Sequence, residues 1–349
     1  MRKKIFKIGI ILAIFFMIIT GCAQNQTKNK VEIIKDFVSI TDIEEDRYDI
    51  YVILKSMTGS YWEVLLDGIK QAGIDNKCNI YVAGSTLETE WELQEAYIEL
   101  AVEKGADAII LSPDNSEMLV PVVEKVHNLG IPIIVIDTMV NSDSYDVCYM
   151  TDNLFAGEIA AREMLRMLKE QGHSENNVVN VAIELGGKSS QSTNERLAGF
   201  YKYWTNCAPD TWYIIDEIKC NDGDEALAVE LSEEILKQCS YLDGIVGIDN
   251  ASTMGLASAL LKYKKYDVVM VGFDYSKEVL EIIENDNYNA SVILQRQYEM
   301  GYKGVESANL LLGGKSVDLK FVDTGESVLN KDTMYLEEIL EIIQGKRGN

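Results

Sequence analysis

The chain contains 349 residues and carries a formal net charge of −24, from 32 basic and 56 acidic side chains. Because so large a negative charge repels nucleic acids and anionic lipid surfaces, a role in binding DNA or RNA is excluded. Only two histidines occur, and the six cysteines show no C-x-x-C or metal-type spacing, so we expect no zinc site, no cofactor and no His-based catalysis.

The N-terminal segment, 1–22, combines a basic flank with an apolar run at 8–19 and ends in Ile19-Thr20-Gly21-Cys22. The run is too short for an ordinary membrane span but fits the hydrophobic part of a secretory signal. Its last four residues resemble a bacterial lipobox, which implies that Cys22 is lipidated and becomes the mature N-terminus, held at the cell membrane by its acyl chains. An uncleaved N-terminal anchor is the alternative. In either case we expect the folded part to lie outside the cytoplasm.

A polar segment without clear periodicity, 23–47, suits a spacer between the membrane and a folded domain. The roughly 300 remaining residues exceed the usual size of one compact core, so we expect two lobes. Short apolar runs rich in β-branched residues then recur and predict strands. These runs lie at 50–54, 79–83, 108–111, 132–136, 178–183, 244–248 and 268–273.

Segments with helical spacing separate these runs, and the repeated order of strand, helix and strand implies parallel sheets with right-handed crossovers. The regular order is interrupted at 141–149, and a second series of units starts at 178. We therefore predict an α/β fold with two doubly wound parallel-sheet lobes and a crossing near Thr151. Ligands of open α/β sheets lie beyond the carboxyl ends of the strands, so functional residues should directly follow the strands.

The first candidate group follows the strand at 50–54. Tyr61 and Trp62 stand at the start of a predicted helix and can present a flat apolar face to the C–H face of a sugar. The alternative is that both rings pack under the loop. Lys55, at the strand end, is either a hydrogen-bond donor in the cleft or a solvated lysine.

Two carboxylates, Asp137 and Asp274, directly follow apolar strands. Carboxylates accept strong charge-assisted hydrogen bonds from neighbouring hydroxyls, although aspartate at a strand end also serves turns. Arg196, in the first turns of the helix after 178–183, would bring its planar set of donors close to the same crevice. Taken alone, an arginine is by default a surface residue.

Two enzymatic interpretations are disfavoured. Gly187-Lys188-Ser189 follows a strand, but a phosphate-binding P-loop needs glycine at position 182, where this chain has Ala182. A glycoside hydrolase would use Asp137 and Asp274 as its working pair. Because lysine, arginine and amides alternate with the candidate acids, and no nucleophile stands with an organised base, we do not expect an enzyme.

Several short motifs occur together in one order: the aromatic pair before Asp67-Gly68, 105–113, 130–133, Thr151-Asp152-Asn153 with Gly157, Arg196 with Gly199-Phe200, Asp249-Asn250 with Gly255, 271–274, and Gln295 with 301–306. In these motifs the chain resembles the type I periplasmic binding proteins of the ribose, galactose and arabinose group, over about 48–314. The resemblance implies two α/β lobes joined by a three-strand hinge, with the ligand between the lobes.

The resemblance also implies roles for individual residues. Tyr61 and Trp62 match aromatics that stack on the sugar, Lys55 matches a ligand lysine of arabinose-type members, Asp137 and Arg196 match hydroxyl partners, and Asp249, Asp274 and Gln295 match further ligand positions. Three departures stand out. Thr138 replaces an arginine of ribose-type members, Asp249-Asn250 reverses the usual order, and no aromatic residue is found around 220–222. The resemblance therefore predicts a class of ligand but no particular sugar.

The expected N-terminal lobe comprises 48–151 plus 296–323, and the C-terminal lobe 152–295 plus 324–349, with hinge positions near Thr151, Gln295 and Val322. The hypothesis is a lipid-anchored, monomeric receptor that binds a monosaccharide or similar polyol for an ABC permease. A receptor that signals to a membrane histidine kinase is the alternative. LacI-type repressors share the fold, but the signal segment and the acidic charge exclude that function.

Overall fold

A computed structural model describes residues 36–85 and 87–345. The predicted signal, the lipidation site at Cys22 and the first part of the predicted spacer lie outside the described residues. Within the described part, the chain builds two seven-stranded sheets, each covered by helices. We call each sheet with the helices packed on it a lobe.

The sheet of the first lobe has the strand order β1-β3-β2-β4-β5-β6-β13. All neighbours are parallel except β1 and β3. Every residue of β4 and β5 is buried, as expected of parallel strands covered on both faces. The strands are β1 (Val38–Ser39), β2 (Asp49–Leu54), β3 (Asn79–Gly84), β4 (Ala108–Leu111), β5 (Ile133–Ile136), β6 (Val147–Met150) and β13 (Phe321–Asp323).

The sheet of the second lobe has the order β14-β12-β11-β10-β7-β8, with β9 also paired to β7. Only β14 runs antiparallel to its neighbour. Sequence periodicity did not predict β12, because its run of large apolar residues, 292–294, is short. The strands are β7 (Val179–Leu185), β8 (Trp212–Ile214), β9 (Lys219–Cys220), β10 (Gly244–Gly247), β11 (Val269–Phe273), β12 (Asn289–Gln295) and β14 (Glu326–Leu329).

The helices cover both faces of the sheets. They are α1 (Ser60–Asn76), α2 (Trp91–Glu103), α3 (Val120–Asn128), α4 (Asn153–Glu170), α5 (Gln191–Cys207), α6 (Glu225–Gln238), α7 (Asn250–Tyr263), α8 (Lys277–Glu284), α9 (Gln297–Leu312) and α10 (Glu337–Ile343). None of the helices among the described residues has the length and apolar character needed to cross a membrane.

Two glycines bring α4 and α5 into close contact. A Cβ on Gly157 would lie 2.1 Å from the carbonyl oxygen of Arg196, and one on Gly199 would lie 2.0 Å from that of Leu154. Any larger residue at either position would push the two helices apart. Since α5 carries Arg196, this packing fixes the height of the arginine above the second sheet.

The predicted spacer, 23–47, is too long at its C-terminal end. Val38 and Ser39 pair with β3, and the ring of Phe37 packs edge-on against Tyr51 at 4.7 Å and Tyr97 at 5.5 Å. The error arises because a strand of two exposed residues leaves no periodic pattern in the sequence.

The chain passes between the lobes at three places, 151–152, 296 and 324–325. The crossings are bonded to one another. The Thr151 hydroxyl donates to Gln295 Oε1 at 3.2 Å, and the Thr324 amide donates to the carbonyl oxygen of Met150 at 3.0 Å. The predicted fold class, two doubly wound lobes joined by three strands, is confirmed.

Candidate functional site

A cavity of about 340 Å³ lies at the carboxyl ends of the strands, with walls from both lobes. Every residue that the sequence analysis singled out as a ligand position lines this one cavity: Lys55, Tyr61, Trp62, Asp137, Arg196, Asp249, Asp274 and Gln295. The rings of Tyr61 and Trp62 therefore share one gap with Arg196 and Asp274, as the hypothesis required.

Asp137 and Asp274 occupy equivalent positions in the two lobes. Each follows a buried strand and adopts a left-handed backbone, with φ of 66° and 64°. Each amide donates to the neighbouring strand, Asp137 to Tyr149 at 2.9 Å and Asp274 to Ile293 at 2.8 Å. Such a backbone is uncommon outside glycine, although aspartate and asparagine tolerate it better than most residues. Each lobe thus presents one carboxylate to the cavity.

Asp137 is surrounded by donors from its own lobe. Its Oδ1 accepts from the Tyr61 hydroxyl at 2.7 Å, and its Oδ2 accepts from Ser112 at 3.0 Å, from Thr138 at 2.9 Å and from the Lys55 ammonium at 2.9 Å. Burial alone would raise the pKa of Asp137, but the charge of Lys55 and the hydrogen bond from Tyr61 hold that pKa below its usual value. Asp137 is therefore a fully partnered carboxylate.

Lys55 is only 3% exposed and directs its ammonium at protein oxygens. Besides Asp137, Nζ donates to the hydroxyls of Thr138 and, at 3.2 Å, Ser190. Of the two alternatives for this lysine, the solvated one is wrong, because the strand end at which it stands is covered by the second lobe.

Asp274 has a sparser environment. Gln295 Nε2 donates to both of its oxygens, at 3.0 and 3.1 Å. Burial raises the pKa of Asp274 to about 7, and the negative charges of Asp137 and Asp249 act in the same direction, whereas Arg196 and the bond from Gln295 oppose the rise. This carboxyl is close to half-protonated at neutral pH and can both donate to and accept from a ligand.

Arg196 is 4% exposed and held on three sides. Its guanidinium carbon lies 4.4 Å from the centre of the Phe273 ring, Nε donates to Asn153 at 2.7 Å, and Nη1 donates to the carbonyl oxygen of Ile248 at 3.3 Å. These bonds use two of the five N–H groups of a guanidinium. The default expectation of a surface arginine is wrong for Arg196, because α5 lies against the carboxyl edge of the second sheet.

Tyr61 and Trp62 are both packed in the core and placed on the cavity wall, so the two interpretations of the aromatic pair do not exclude each other. They are 4% and 5% exposed and belong to the core of the first lobe, yet both line the cavity. Their rings meet edge to face, with centres 5.0 Å apart and planes at 81°, so they do not form one flat surface. The Trp62 indole also hydrogen-bonds to Glu88.

Asp249 caps the N-terminus of α7, because its Oδ1 accepts from the amide of Ser252 at 2.8 Å. A Cβ on Gly186 would lie 2.1 Å from Asp249 Oδ2, so the loop after β7 needs a glycine to make room for this carboxylate. The helix cap and the neighbouring loop together hold Asp249 at the cavity wall.

Sequence reasoning missed an acidic part of the wall. Glu88, Asp224 and Glu225 line the cavity. Burial raises the pKa of Glu88 to about 7, and Asp249 and Asp137 add to the rise while Lys55 opposes it. All three acids lie beyond strand ends, but in a chain with 56 acidic residues this position alone could not single them out. Within 36–85 and 87–345, no three acidic, histidine or cysteine side chains converge as metal ligands would.

The wall near 220–226 has no aromatic ring. Gly223, Asp224, Glu225 and Ala226 form it, and Asp224 caps α6 by accepting from the amides of Ala226 at 2.8 Å and Leu227 at 3.0 Å. The second lobe thus contributes small and acidic residues to this part of the cavity wall.

Residues 50–316 match the family model of the periplasmic binding protein domain. The chain belongs to this family. The match spans both sheets and the cavity between them, and it confirms the family predicted from the motifs.

Known relatives agree with this assignment. A ribose import binding protein of Bacillus subtilis is 22% identical over 270 residues, which cover 77% of this chain and 83% of that protein. A carbohydrate transporter solute-binding protein from Agrobacterium radiobacter, solved with D-arabinose, has a TM-score of 0.81 at 25% identity and covers 86% of this chain and 100% of its own. An ABC transporter solute-binding protein from Agrobacterium vitis, solved with D-fucose, has a TM-score of 0.76 at 27% identity, with 84% and 98% covered.

Proposed function

We propose that this protein is an extracytoplasmic solute-binding protein that captures a monosaccharide or similar polyol in the cavity between its lobes and delivers it to an ABC permease. The observation that carries the proposal is the convergence of Arg196, Asp274, Gln295 and Trp62 on one cavity. Relatives with the same fold are an import binding protein for ribose and solute-binding proteins solved with D-arabinose and D-fucose.

The second lobe supplies most of the proposed polar contacts. Arg196 has N–H groups left for ligand hydroxyls, and Asp274 and Gln295 form a carboxyl and amide pair beside it. Neighbouring hydroxyls of a sugar match such a set, because each hydroxyl both donates and accepts a hydrogen bond. Trp62 and Tyr61 supply the apolar wall against the C–H groups. Asp249 completes the proposed set of ligand contacts, and Lys55 and Asp137 line the same cavity beside it.

With the first boundary moved to Phe37, the proposed lobes comprise 37–151 plus 296–323 and 152–295 plus 324–345. Rotation about the three crossings would open the cavity to solvent and close it on the ligand. A permease that contacts both lobes binds only the closed form well, so it detects occupancy. Cys22 is the proposed lipid anchor, and a monomer is sufficient for this mechanism.

The first experiment measures ligand binding directly. Purified protein is titrated with D-ribose, D-arabinose, D-apiose and D-fucose, with tryptophan fluorescence and calorimetry as readouts, after mass spectrometry of any compound that co-purifies. Trp62→Ala should weaken binding at least tenfold, since an aromatic wall is removed. Trp212→Phe, in the second lobe away from the cavity, is the control. A broad panel of sugars and polyols that gives no signal in either readout contradicts the proposal.

A cellular experiment separates transport from sensing. The importer function predicts that deletion of the gene reduces uptake of the identified sugar. The alternative, a receptor for a membrane histidine kinase, predicts normal uptake and a lost transcriptional response. Cys22→Ala should release the protein from the membrane fraction if Cys22 is the anchor.

A further inference from the structure

A polar cluster joins the two lobes directly beside the cavity. Lys55 and Thr138 come from the first lobe, and Ser190 and Ser192 come from the second. Lys55 Nζ donates to Ser190 at 3.2 Å, the Thr138 and Ser192 hydroxyls lie 2.8 Å apart, and those of Ser190 and Ser192 lie 2.9 Å apart. All four side chains are buried. We call these four side chains the interlobe cluster.

The ammonium of Lys55 has no proton left for a ligand. A lysine carries three N–H donors, and those of Lys55 are directed at Asp137, Thr138 and Ser190. Arg196, in contrast, uses only two of its five donors on protein atoms of residues 36–85 and 87–345. Of the two cations that line the cavity, Arg196 is therefore available to a ligand and Lys55 is committed to the junction of the lobes.

Asp137 makes this arrangement electrostatically feasible. A buried ammonium is costly unless a counter-charge and hydrogen bonds compensate it, and Asp137 Oδ2 lies 2.9 Å away. Asp137 in turn belongs to the first lobe, so the ion pair persists when the lobes separate. What separation breaks is the contact of Lys55 with Ser190 and that of Thr138 with Ser192.

A second set of interlobe contacts supports the cluster. The amide of Ser116 donates to the carbonyl oxygen of Ser189 at 3.4 Å, the amide of Gln191 donates to Ser116 Oγ at 3.3 Å, and Ser189 Oγ donates to the carbonyl oxygen of Asp114 at 3.3 Å. The segment that begins α5, 189–192, is thus bonded along its length to the first lobe. Arg196 stands one turn further along the same helix.

We propose that the Lys55–Asp137 ion pair acts as a closure clamp, which binds Ser190 and Ser192 of the opposite lobe and so stabilises the closed form instead of contacting the ligand. Lys55 is then a positioning residue. Closure brings the start of α5, and Arg196 with it, up to the ligand. The effect of the clamp on ligand binding rests on the proposed function, whereas closure by the clamp can be measured without a ligand.

The test compares Lys55→Met and Ser190→Ala with Ser258→Ala, a serine on α7 outside the cluster. Ser190 does not line the cavity, so its loss removes a clamp contact without touching a ligand position. Closure of the ligand-free protein is measured from the distance between spin labels on the two lobes. Affinity is measured with the tightest-binding sugar of the panel, and thermal melts confirm that each variant is folded.

The clamp predicts that Lys55→Met and Ser190→Ala each lower the fraction of ligand-free protein that is closed. Each substitution should also weaken sugar binding about tenfold, because affinity falls with the fraction of protein that is competent to bind. The double variant should be no worse than Lys55→Met alone, since both changes break one contact. The order of preference among sugars should stay unchanged. If Ser190→Ala matches Ser258→Ala in both measurements while Lys55→Met loses binding, Lys55 is a ligand contact and the clamp is wrong. If no sugar binds, the proposed function fails, and the label distances alone still decide the clamp.

Discussion

The two halves of the cavity start from the same sequence feature and reach opposite electrostatic states. Asp137 and Asp274 each follow a buried strand with nearly the same backbone angles. Asp137 accepts from four donors and has a lowered pKa, whereas among the described residues only Gln295 donates to the Asp274 carboxyl, and the pKa of Asp274 rises to about 7. The protonation state of each carboxyl is thus set by the side chains around it and not by its position in the fold.

The two lobes also use their polar groups differently. In the first lobe, the charged groups of Lys55 and Asp137 bond to each other, to neighbours in the same lobe and to Ser190 of the opposite lobe. The second lobe keeps donors and acceptors free beside Arg196 and Asp274. We expect substitutions of the first-lobe charges, Lys55 and Asp137, to change stability and closure, and substitutions of Arg196 and Asp274 in the second lobe to change direct contacts with the ligand.

The sharpest test replaces each of the two aspartates by asparagine, which tolerates the same left-handed backbone. Asp137→Asn leaves the Lys55 ammonium buried without a counter-charge and should cost about 3–5 kcal/mol of unfolding free energy. Asp274→Asn should cost about 1 kcal/mol or less at pH 7, because that carboxyl is already partly neutral. Chemical denaturation measures both, and equal losses would remove the proposed difference between the lobes.

Stability should fall as pH rises through the neutral range. Burial raises the pKa of Glu184, a second-lobe carboxyl bonded to Ser232 and Asn221, from 4.5 to about 8. A group whose pKa is raised on folding stabilises the protein fully at low pH and loses that contribution as pH rises through the folded value. Glu184→Gln should therefore remove a decrease on the order of 3 kcal/mol between about pH 5 and pH 8.

The control for this pH series is Glu175→Gln, an exposed position in the same lobe. Asp137 acts with the opposite sign, since its lowered pKa adds stability that is lost only as acid protonates it below its usual range. An unchanged pH slope in Glu184→Gln would show that this carboxyl stays ionised in the folded protein.

Arg196→Met should reduce sugar affinity about a hundredfold, or about 2–3 kcal/mol, because charge-assisted hydrogen bonds to the ligand are lost. Arg162→Met, on the exposed face of α4, is the matched control and should bind normally. Calorimetry at one pH gives both values. A loss in Arg196→Met of less than threefold would place the ligand elsewhere in the cavity.

The smallest expected effect concerns Glu88, and its main measurement is made on the ligand-free protein. Because Glu88 hydrogen-bonds to Trp62 and its pKa rises to about 7, the fluorescence of the ligand-free protein should change with a midpoint close to pH 7. Glu88→Gln should abolish that transition, and Trp62→Phe should remove it as well. Affinity for a sugar should change by less than about tenfold in Glu88→Gln. A transition that survives both substitutions comes from another tryptophan.

Periodicity and strand-end position predicted much of this protein. The seven apolar runs became strands with boundaries shifted by at most two residues, and the residues that directly follow four of them, Lys55, Asp137, Asp249 and Asp274, line one cavity. Strands that are too short or too polar to show a periodic apolar pattern, such as Val38–Ser39 and Lys219–Cys220, could not be predicted in this way. The acids Glu88, Asp224 and Glu225 could not be singled out from the sequence, because the chain is rich in acidic residues throughout.

Hydrophobic periodicity and the polarity of parallel strands are local properties of the chain, and they were enough to predict the two-lobed α/β fold and to place Lys55, Asp137 and Asp274 at strand ends that meet in the cleft. Tertiary structure alone decided what each of those side chains does. Lys55 meets Ser190, 135 positions away, and Asp137 meets Tyr61, 76 positions away. Charge state and hydrogen-bond saturation depend on such distant neighbours, so equivalent aspartates acquired different chemistry only when the chain folded.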